Sequence, residues 1–352
     1  MTTAGSDRAL ARAYRLPPLA VIVAVGAVMA AAVLSAVVGP LDLGVRPVVA
    51  EILDRIPGLQ ITSGLTDQQA VALWQWRLPR IVLGGLVGSS LALSGATYQG
   101  VFRNPLADPY LLGVAAGAGL GATVAIVGGL TGGWGPLDAV AIGAFAGALL
   151  AVSVAAVVAR SAGATPAALL LAGIAVAAFF TAVQTYIQLR DADTLRQVYT
   201  WILGRVSTAG WGDVAVLGPY VLVCGAVILL LRRQLDVLRL GDEEAAALGV
   251  RPGTVRVVLV VAASLLAAAA VSVSGLISFV GIIVPHLVRL TVGTSYRVVL
   301  PLSAIGGAAL LMVADLAART LASPAELPIG VITAFLGAPF FVLVLVTNRG
   351  VR

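Results

Sequence analysis

The sequence predicts an all-α, polytopic membrane protein, on the strength of three observations. Hydrophobic residues make up 60% of the 352 and charged residues 11%, with a mean hydropathy of +1.04, which leaves too little polar surface to solvate a globule of this size. A window of about 20 residues, the length that crosses a bilayer core, finds ten apolar runs, so about ten transmembrane helices are expected. Small residues recur within them at four-residue spacing, as in Gly84 and Gly88, Gly113, Gly117 and Gly121, and Gly143 and Gly147. That spacing lets helix backbones approach closely in lipid, where packing drives association.

The runs are 19–38, 81–101, 111–130, 137–159, 167–188, 214–231, 257–273, 276–290, 298–318 and 329–346. The first follows Arg8, Arg12 and Arg15, is too long for a signal-peptide core and has no convincing cleavage site after it, so it reads as a retained helix behind a cytoplasmic segment, 1–18. Arginine placement then sets the orientation. With the N-terminus inside, 14 of the 22 arginines fall in inner segments, and both termini are cytoplasmic. The tryptophans Trp74, Trp76, Trp134, Trp201 and Trp211 all fall near the outer face, where amphipathic rings favour the headgroup level. The whole chain, 1–352, reads as one transmembrane domain.

Several chemistries are excluded. There is no lysine, so the Walker A lysine is missing and the chain is not a P-loop ATPase. Cys224 lies in an apolar run and His286 has no partner at ligand spacing, so disulfides, metal sites and Cys/His nucleophiles lack support. Asp315 and Arg319, four apart, form an ion pair contributing about 0.2 to 0.5 kcal/mol if exposed. Asp138 sits at the lip of its span and reads as solvated. Thr165 and Pro166 make an N-cap and N1 pair, while Pro285 and Pro339 mark candidate breaks or kinks.

The longest polar interruption is 232–256. Gly241 and Gly249 punctuate it, Pro252 stops it, and Asp242, Glu243 and Glu244 fall in the first turn after Gly241, where carboxylates complement the helix dipole. It reads either as a solvated loop or as one or two very short helices that dock another protein.

Other motifs carry a resemblance. Trp76-Arg77-Leu78-Pro79-Arg80, Leu93-Ser94-Gly95, Gln99, Asn104-Pro105-Leu106-Ala107-Asp108-Pro109 and Leu112-Gly113-Val114 are followed by Leu240-Gly241 through Ala247-Leu248-Gly249. Then come Phe279-Val280-Gly281 with Pro285-His286 and Arg289, Glu326-Leu327-Pro328-Ile329-Gly330-Val331 and Leu336-Gly337-Ala338-Pro339. In this order, from about Trp76 to Pro339, they resemble the FecCD family, permease subunits of ABC importers for iron-siderophores, haem and vitamin B12.

The resemblance implies a type II ABC importer permease in the bacterial cytoplasmic membrane. It would work as a homodimer or with a paralogous permease, with two copies of a cytoplasmic ABC ATPase that carries ATP-Mg and an extracytoplasmic substrate-binding protein. No covalent cofactor, no metal held by the chain and no nucleic-acid partner are expected. Leu240, Gly241, Asp242, Glu243, Glu244, Ala245, Leu248 and Gly249 would form the ATPase-coupling segment. Thr165, Pro166, Ala167 and Ala168 would lie at the inner gate, where the related vitamin B12 permease has small hydroxyl residues at the positions of Pro166 and Ala167. Arg77, Arg80 and Arg319 would dock the binding protein, against the simpler reading of snorkelling at the headgroups. His286 is expected to be structural, by capping or stacking. The cargo expected is a chelate, with ferric siderophore first and haem or a corrinoid as alternatives. Two other classes compete: an ion-coupled transporter using Asp315 and a non-transporting membrane scaffold.

Overall fold

The computed structural model describes residues 16–39, 43–56, 58, 61–130, 132–134, 137–163, 165–191 and 193–347. Of the cytoplasmic segment expected at 1–18, residues 1–15 lie outside the described residues, as does the chain from 348 on. The helices in order are α1 (Pro18–Val37), α2 (Val45–Asp54), α3 (Leu78–Val101, continuous with the short helical stretches Asp67–Val71 and Ala72–Arg77 before it), α4 (Val114–Val127), α5 (Ala139–Ser161), α6 (Pro166–Arg190) and α7 (Leu195–Ile202). Then follow α8 (Trp211–Leu230), α9 (Arg232–Leu238), α10 (Asp242–Ala247), α11 (Pro252–Ser274), α12 (Val280–Thr291), α13 (Tyr296–Thr320) and α14 (Ile329–Thr347). A two-residue antiparallel pair, Gly133–Trp134 with Leu137–Asp138, precedes α5.

Among the described residues, seven helices are long and apolar enough to cross a membrane, and the shorter apolar helices α4, α12 and α14 fill the other expected runs. The bundle packs around α3 and α11, whose spans are the most buried. Glycine makes this closeness possible. A Cβ on Gly117 would strike the carbonyl of Gly147, one on Gly121 that of Gly143, and one on Gly88 that of Gly307, so α4 meets α5 and α3 meets α13 backbone to backbone. Gly113 plays another part: it sits at φ 83° and ends the 3-10 turn Pro109–Leu112.

The eighth run departs from its expected bounds. Residues 276–279 are not helical, α12 begins only at Val280, and Phe279 before it adopts φ 69°. Neighbours satisfy the interrupted backbone: Leu276 N–H donates to the Ile202 carbonyl, Arg205 N–H donates to that of Ser274, and the Tyr110 hydroxyl donates to the Ile277 carbonyl while accepting from the Ile277 N–H. Such a break survives because neighbouring protein groups satisfy its backbone. Pro285 and Pro339 lie inside α12 and α14 without ending them. Of the five tryptophans expected near the outer face, Trp201 is only 4% exposed and packs inside the bundle with Ala267, Ala268 and Val271.

Candidate functional site

At one end of the bundle, α9 and α10 form a compact elbow fastened on two sides. Asp236 on α9 accepts from the Ser295 hydroxyl at 2.6 Å and from the Tyr296 N–H at 2.7 Å, tying α9 to the start of α13, and Arg239 donates to the Thr294 carbonyl at 2.9 Å. Asp242 on α10 binds Arg256 in the first turn of α11 at 2.6 Å and Arg103 just beyond α3 at 2.7 Å. Arg103 also donates from Nε to the Leu238 carbonyl at 2.8 Å, so one side chain bridges both short helices. Hydrogen bonding to Arg256, followed by that to Arg103, outweighs desolvation and holds the Asp242 carboxyl below the usual aspartate range.

The elbow ends on its two glycines. Gly241, at φ 142°, holds a backbone conformation that L side chains rarely adopt, and the Glu244 carboxylate folds back against it. Gly249, at φ 80°, closes α10: its N–H donates to the Ala246 carbonyl and that of Val250 to the Ala245 carbonyl, both orphan acceptors of the last turn. Ala245 is buried, whereas Leu240 and Leu248 are each 63% exposed. Of the three carboxylates expected to face a partner, Asp242 is therefore engaged within the chain, and Glu243 and Glu244 are exposed. Asp236 was not singled out in the sequence, because its partners lie some 60 residues away.

Above the elbow, a buried polar network joins residues from three motifs. The Gln99 amide donates to the carbonyls of Gly281 and Ala107, and its oxygen accepts from Arg289 at 2.6 Å. Arg289 also stands 5.8 Å over the Tyr296 ring. Asp108, in the loop after α3, accepts from the Tyr110 N–H at 2.8 Å, and burial pushes its pKa up to about 6.

The gate candidates begin α6. Thr165 caps it by accepting from the Ala168 N–H at 3.1 Å, Pro166 occupies the first turn, and Ala167 and Ala168 follow. α6 packs against α4, α5 and the 109–112 turn, and turns Leu171, Ile174, Phe179, Tyr186 and Leu189 outward. His286, on α12, meets Phe340 edge-on at 5.8 Å.

At the opposite end of the bundle, the three arginines turn inward. Arg77 donates to the carbonyls of Ala36 and Val37, and Arg319 to that of Ser35, capping the end of α1 where its carbonyls lack helical partners. Asp315 is 2% exposed and lies between Arg80, at 2.8 Å, and Arg319, at 3.3 Å. Arg80 also meets Glu326 at 3.0 Å. Arg77 and Arg319 are thus buried struts, and Arg80 shows little of itself beside the cleft it forms with Thr200, Ser207, Glu326 and Pro328. The anticipated local pair Asp315–Arg319 exists, but buried and with a second arginine. Asp138 is likewise engaged, capping α5 through the Ala141 N–H and pairing with Arg205 at 2.8 Å.

Among the described residues, no group of three or more His, Cys, Asp or Glu converges in a way that could hold a metal ion. Ten apolar helices among the described residues, a backbone break between two of them and an anchored polar elbow define a polytopic membrane protein. Residues 27–347 match the FecCD transport family, and the chain belongs to it. The cobalamin import permease of Halobacterium salinarum is 44% identical over 295 residues, 82% of this chain and 77% of that protein. The hemin transport permease of Yersinia pestis is 43% identical over 291 residues, 80% and 86% of the two chains. An Fe(3+)-citrate import permease of Bacillus subtilis is 34% identical over 334 residues, 95% and 96%. A solved metal-chelate-type ABC transporter in an inward-facing conformation superposes with a TM-score of 0.81 at 30% identity, covering 94% of this chain and 100% of that one. The chain is therefore the membrane-spanning permease subunit of an ABC importer, and the ion-coupled and scaffold readings give way to it.

Proposed function

We infer that this permease carries a ferric siderophore across the cytoplasmic membrane, handed over by an extracytoplasmic binding protein and driven by two copies of an ABC ATPase. The observation that carries the importer mechanism is the elbow at 232–256, which is pinned to α13 through Asp236 and to α3 and α11 through Asp242 while it leaves Leu240 and Leu248 uncovered. An element tied rigidly to several spans and apolar on its free side suits a docking helix, because a push on it moves the spans and not the loop. ATP binding and hydrolysis in the partner then tilt the bundle between outward-open and inward-open forms.

Chelate cargo is supported by the outward apolar face of α6, which suits a bulky organic shell better than a bare ion. The printed substrates of the relatives above, cobalamin, hemin and Fe(3+)-citrate, are each a metal inside an organic ligand. Haem or corrinoid import is the second reading, favoured by the 44% and 43% identities. The permease acts as a homodimer or beside a paralogous permease, with the segment at Thr165 to Ala168 at the inner mouth. Binding-protein docking at Arg77, Arg80 and Arg319 takes a changed form: Arg77 and Arg319 fix the outer helix ends, and the Arg80–Glu326 edge is the part a partner reaches.

A strain lacking the permease, grown on ferric siderophore, hemin or cobalamin as sole source, separates the three cargoes. Loss of growth on the siderophore alone is expected. A defect confined to free metal salts would overturn the chelate reading.

A further inference from the structure

The short outer helix α2 presents three distinct strips at about 3.6 residues per turn. Val48 is 1% exposed and packs with Ala36, Val37 and Leu73, flanked by the partly buried Pro47 and Glu51. Arg46 and Asp54 are exposed on a second strip. Between these strips, Val45, Val49, Ile52 and Leu53, continued by Ile56, stand 36% to 55% exposed. The uncovered surface of this helix is thus half apolar and half charged, although it lies between spans and not in one.

Its surroundings indicate what covers the apolar half. α1 is a span whose surface is largely uncovered, and Leu34 and Val38 at its end are 50% and 39% exposed. α2 is tied to ring side chains at the same level: the Trp74 indole donates to Glu51 at 3.1 Å, Arg55 stands 4.9 Å over the Trp74 ring, and the Trp211 indole donates to the Trp74 carbonyl at 2.8 Å. Trp76 and Trp211 are themselves 69% and 41% exposed. Tryptophans at span ends mark the headgroup layer, and a helix with one apolar and one charged free side lies in that layer with its axis in the plane.

We propose that α2 is an interfacial helix, seated in the outer headgroup layer with Val45, Val49, Ile52 and Ile56 against acyl chains and Arg46 and Asp54 toward water. The occupant of the stripe is lipid, because α2 packs beside the end of the exposed apolar span α1 and is tied to the tryptophans of that level. The helix fixes the depth of the outer ends of α1 and α3, which Arg77 joins through the Ala36 and Val37 carbonyls.

The test uses the full permease with Cys224→Ala, single cysteines at Val49, Ile52 or Asp54, and an environment-sensitive fluorophore on each, in vesicles of phosphatidylethanolamine and phosphatidylglycerol. Probes at Val49 and Ile52 are expected to emit at shorter wavelength, to be quenched by lipids spin-labelled high on the acyl chain and to resist aqueous iodide, with the reverse at Asp54. Iodide quenching at Val49 and Ile52 equal to that at Asp54 would show a bare aqueous surface and overturn the proposal. Protection of both from iodide and from spin-labelled lipid would overturn it too, by showing that a second copy or a partner protein covers the stripe. Two probe sites on one strip keep the result readable if either variant fails to fold.

Discussion

Gln99 donates its side-chain amide to the carbonyl of Gly281 at 3.0 Å, the acceptor that Pro285 leaves without an intrahelical partner. Proline at position 285 removes the N–H that would reach back four residues, and a glutamine from α3 supplies the missing donor. Because Gly95 lies against the same Gly281 backbone, the two helices are close enough for this repair. Gln99→Leu is expected to destabilise the folded permease by about 1 to 3 kcal/mol, the cost of buried polar groups left unpaired. Pro285→Ala restores the helical N–H, so the double variant should be more stable in thermal unfolding than the sum of the single effects. Strict additivity in that cycle would show that the Gly281 carbonyl is not what Gln99 serves.

Asp315 is the hub of the outer cluster. Replacing it with Asn leaves the buried Arg319 without its anion and Arg80 with Glu326 alone, and removing one partner of a buried pair costs about 3 to 5 kcal/mol. Glu326→Gln, at a side chain 37% exposed, should cost only ~0 to 1 kcal/mol. Chemical denaturation of the purified protein ranks the two, and equal losses would show that burial does not set the scale here.

Asp242 gives the elbow a pH signature. Its folded-state carboxyl lies below the ordinary 3.8, so the contribution of the latch is present above the unfolded value and is lost as pH falls through the lower folded one. Amide protection across α10 should thus persist at pH 3.8 and fade only in stronger acid, and Asp242→Asn should lower that protection and remove its pH dependence. Protection that fades at the ordinary aspartate value would mean that Arg256 and Arg103 do not hold the carboxylate.

The ten runs were legible because a bilayer imposes length and apolarity on every span, and the α6 start because Thr165 and Pro166 are local signals. The break before α12 was not: Leu276 and Ile277 read as apolar, while the groups that hold the break open, Tyr110 and the Ile202 carbonyl, lie far off in sequence. The arginines were read as outward for a similar reason. Asp315 and Arg319 are visible as a pair four apart, but Arg80 reaches Asp315 across 235 positions, and the capping of α1 by Arg77 crosses 41. Trp201 faces inward because α7 presents Val198 and Trp201 to the bundle, which a rule about headgroup aromatics does not see.

Gly249 terminates α10 in a left-handed conformation with no atom near the site a Cβ would occupy. Gly249→Ala therefore meets only the backbone cost, about 1 to 2 kcal/mol. Gly249→Pro also deletes the N–H that donates to Ala246 and fixes φ with the wrong sign. In a reconstituted permease and ATPase complex, cargo-stimulated ATP hydrolysis should fall modestly for the alanine variant and be lost for the proline variant while assembly is retained. Full stimulation with proline at 249 would place coupling outside the elbow.

Leu240 and Leu248 flank α10 and are uncovered, whereas Ala245 between them is packed and Asp242 is bound on the inner side. Neither leucine supports the fold of the elbow, so Leu240→Asp and Leu248→Asp should leave the permease as stable as before. Burying a leucine fully is worth about 1.5 to 3 kcal/mol, and part of that is offset on association by the ordering of interface side chains. Each substitution is thus expected to weaken ATPase binding by roughly tenfold, or about 1.4 kcal/mol. Glu243→Arg, at a solvated position, should act mainly on the rate of encounter and on its salt dependence. Asp242→Asn should do the opposite of the leucine variants, leaving the ATPase bound but its hydrolysis poorly coupled to transport, because the contact remains while its link to α3 and α11 is gone. The measurements are co-purification of the ATPase at graded salt, and ATP consumed per cargo molecule imported in vesicles. If the double Leu→Asp permease retains the ATPase at wild-type stoichiometry, the docking surface is not on α10 and the exposed leucines serve another contact.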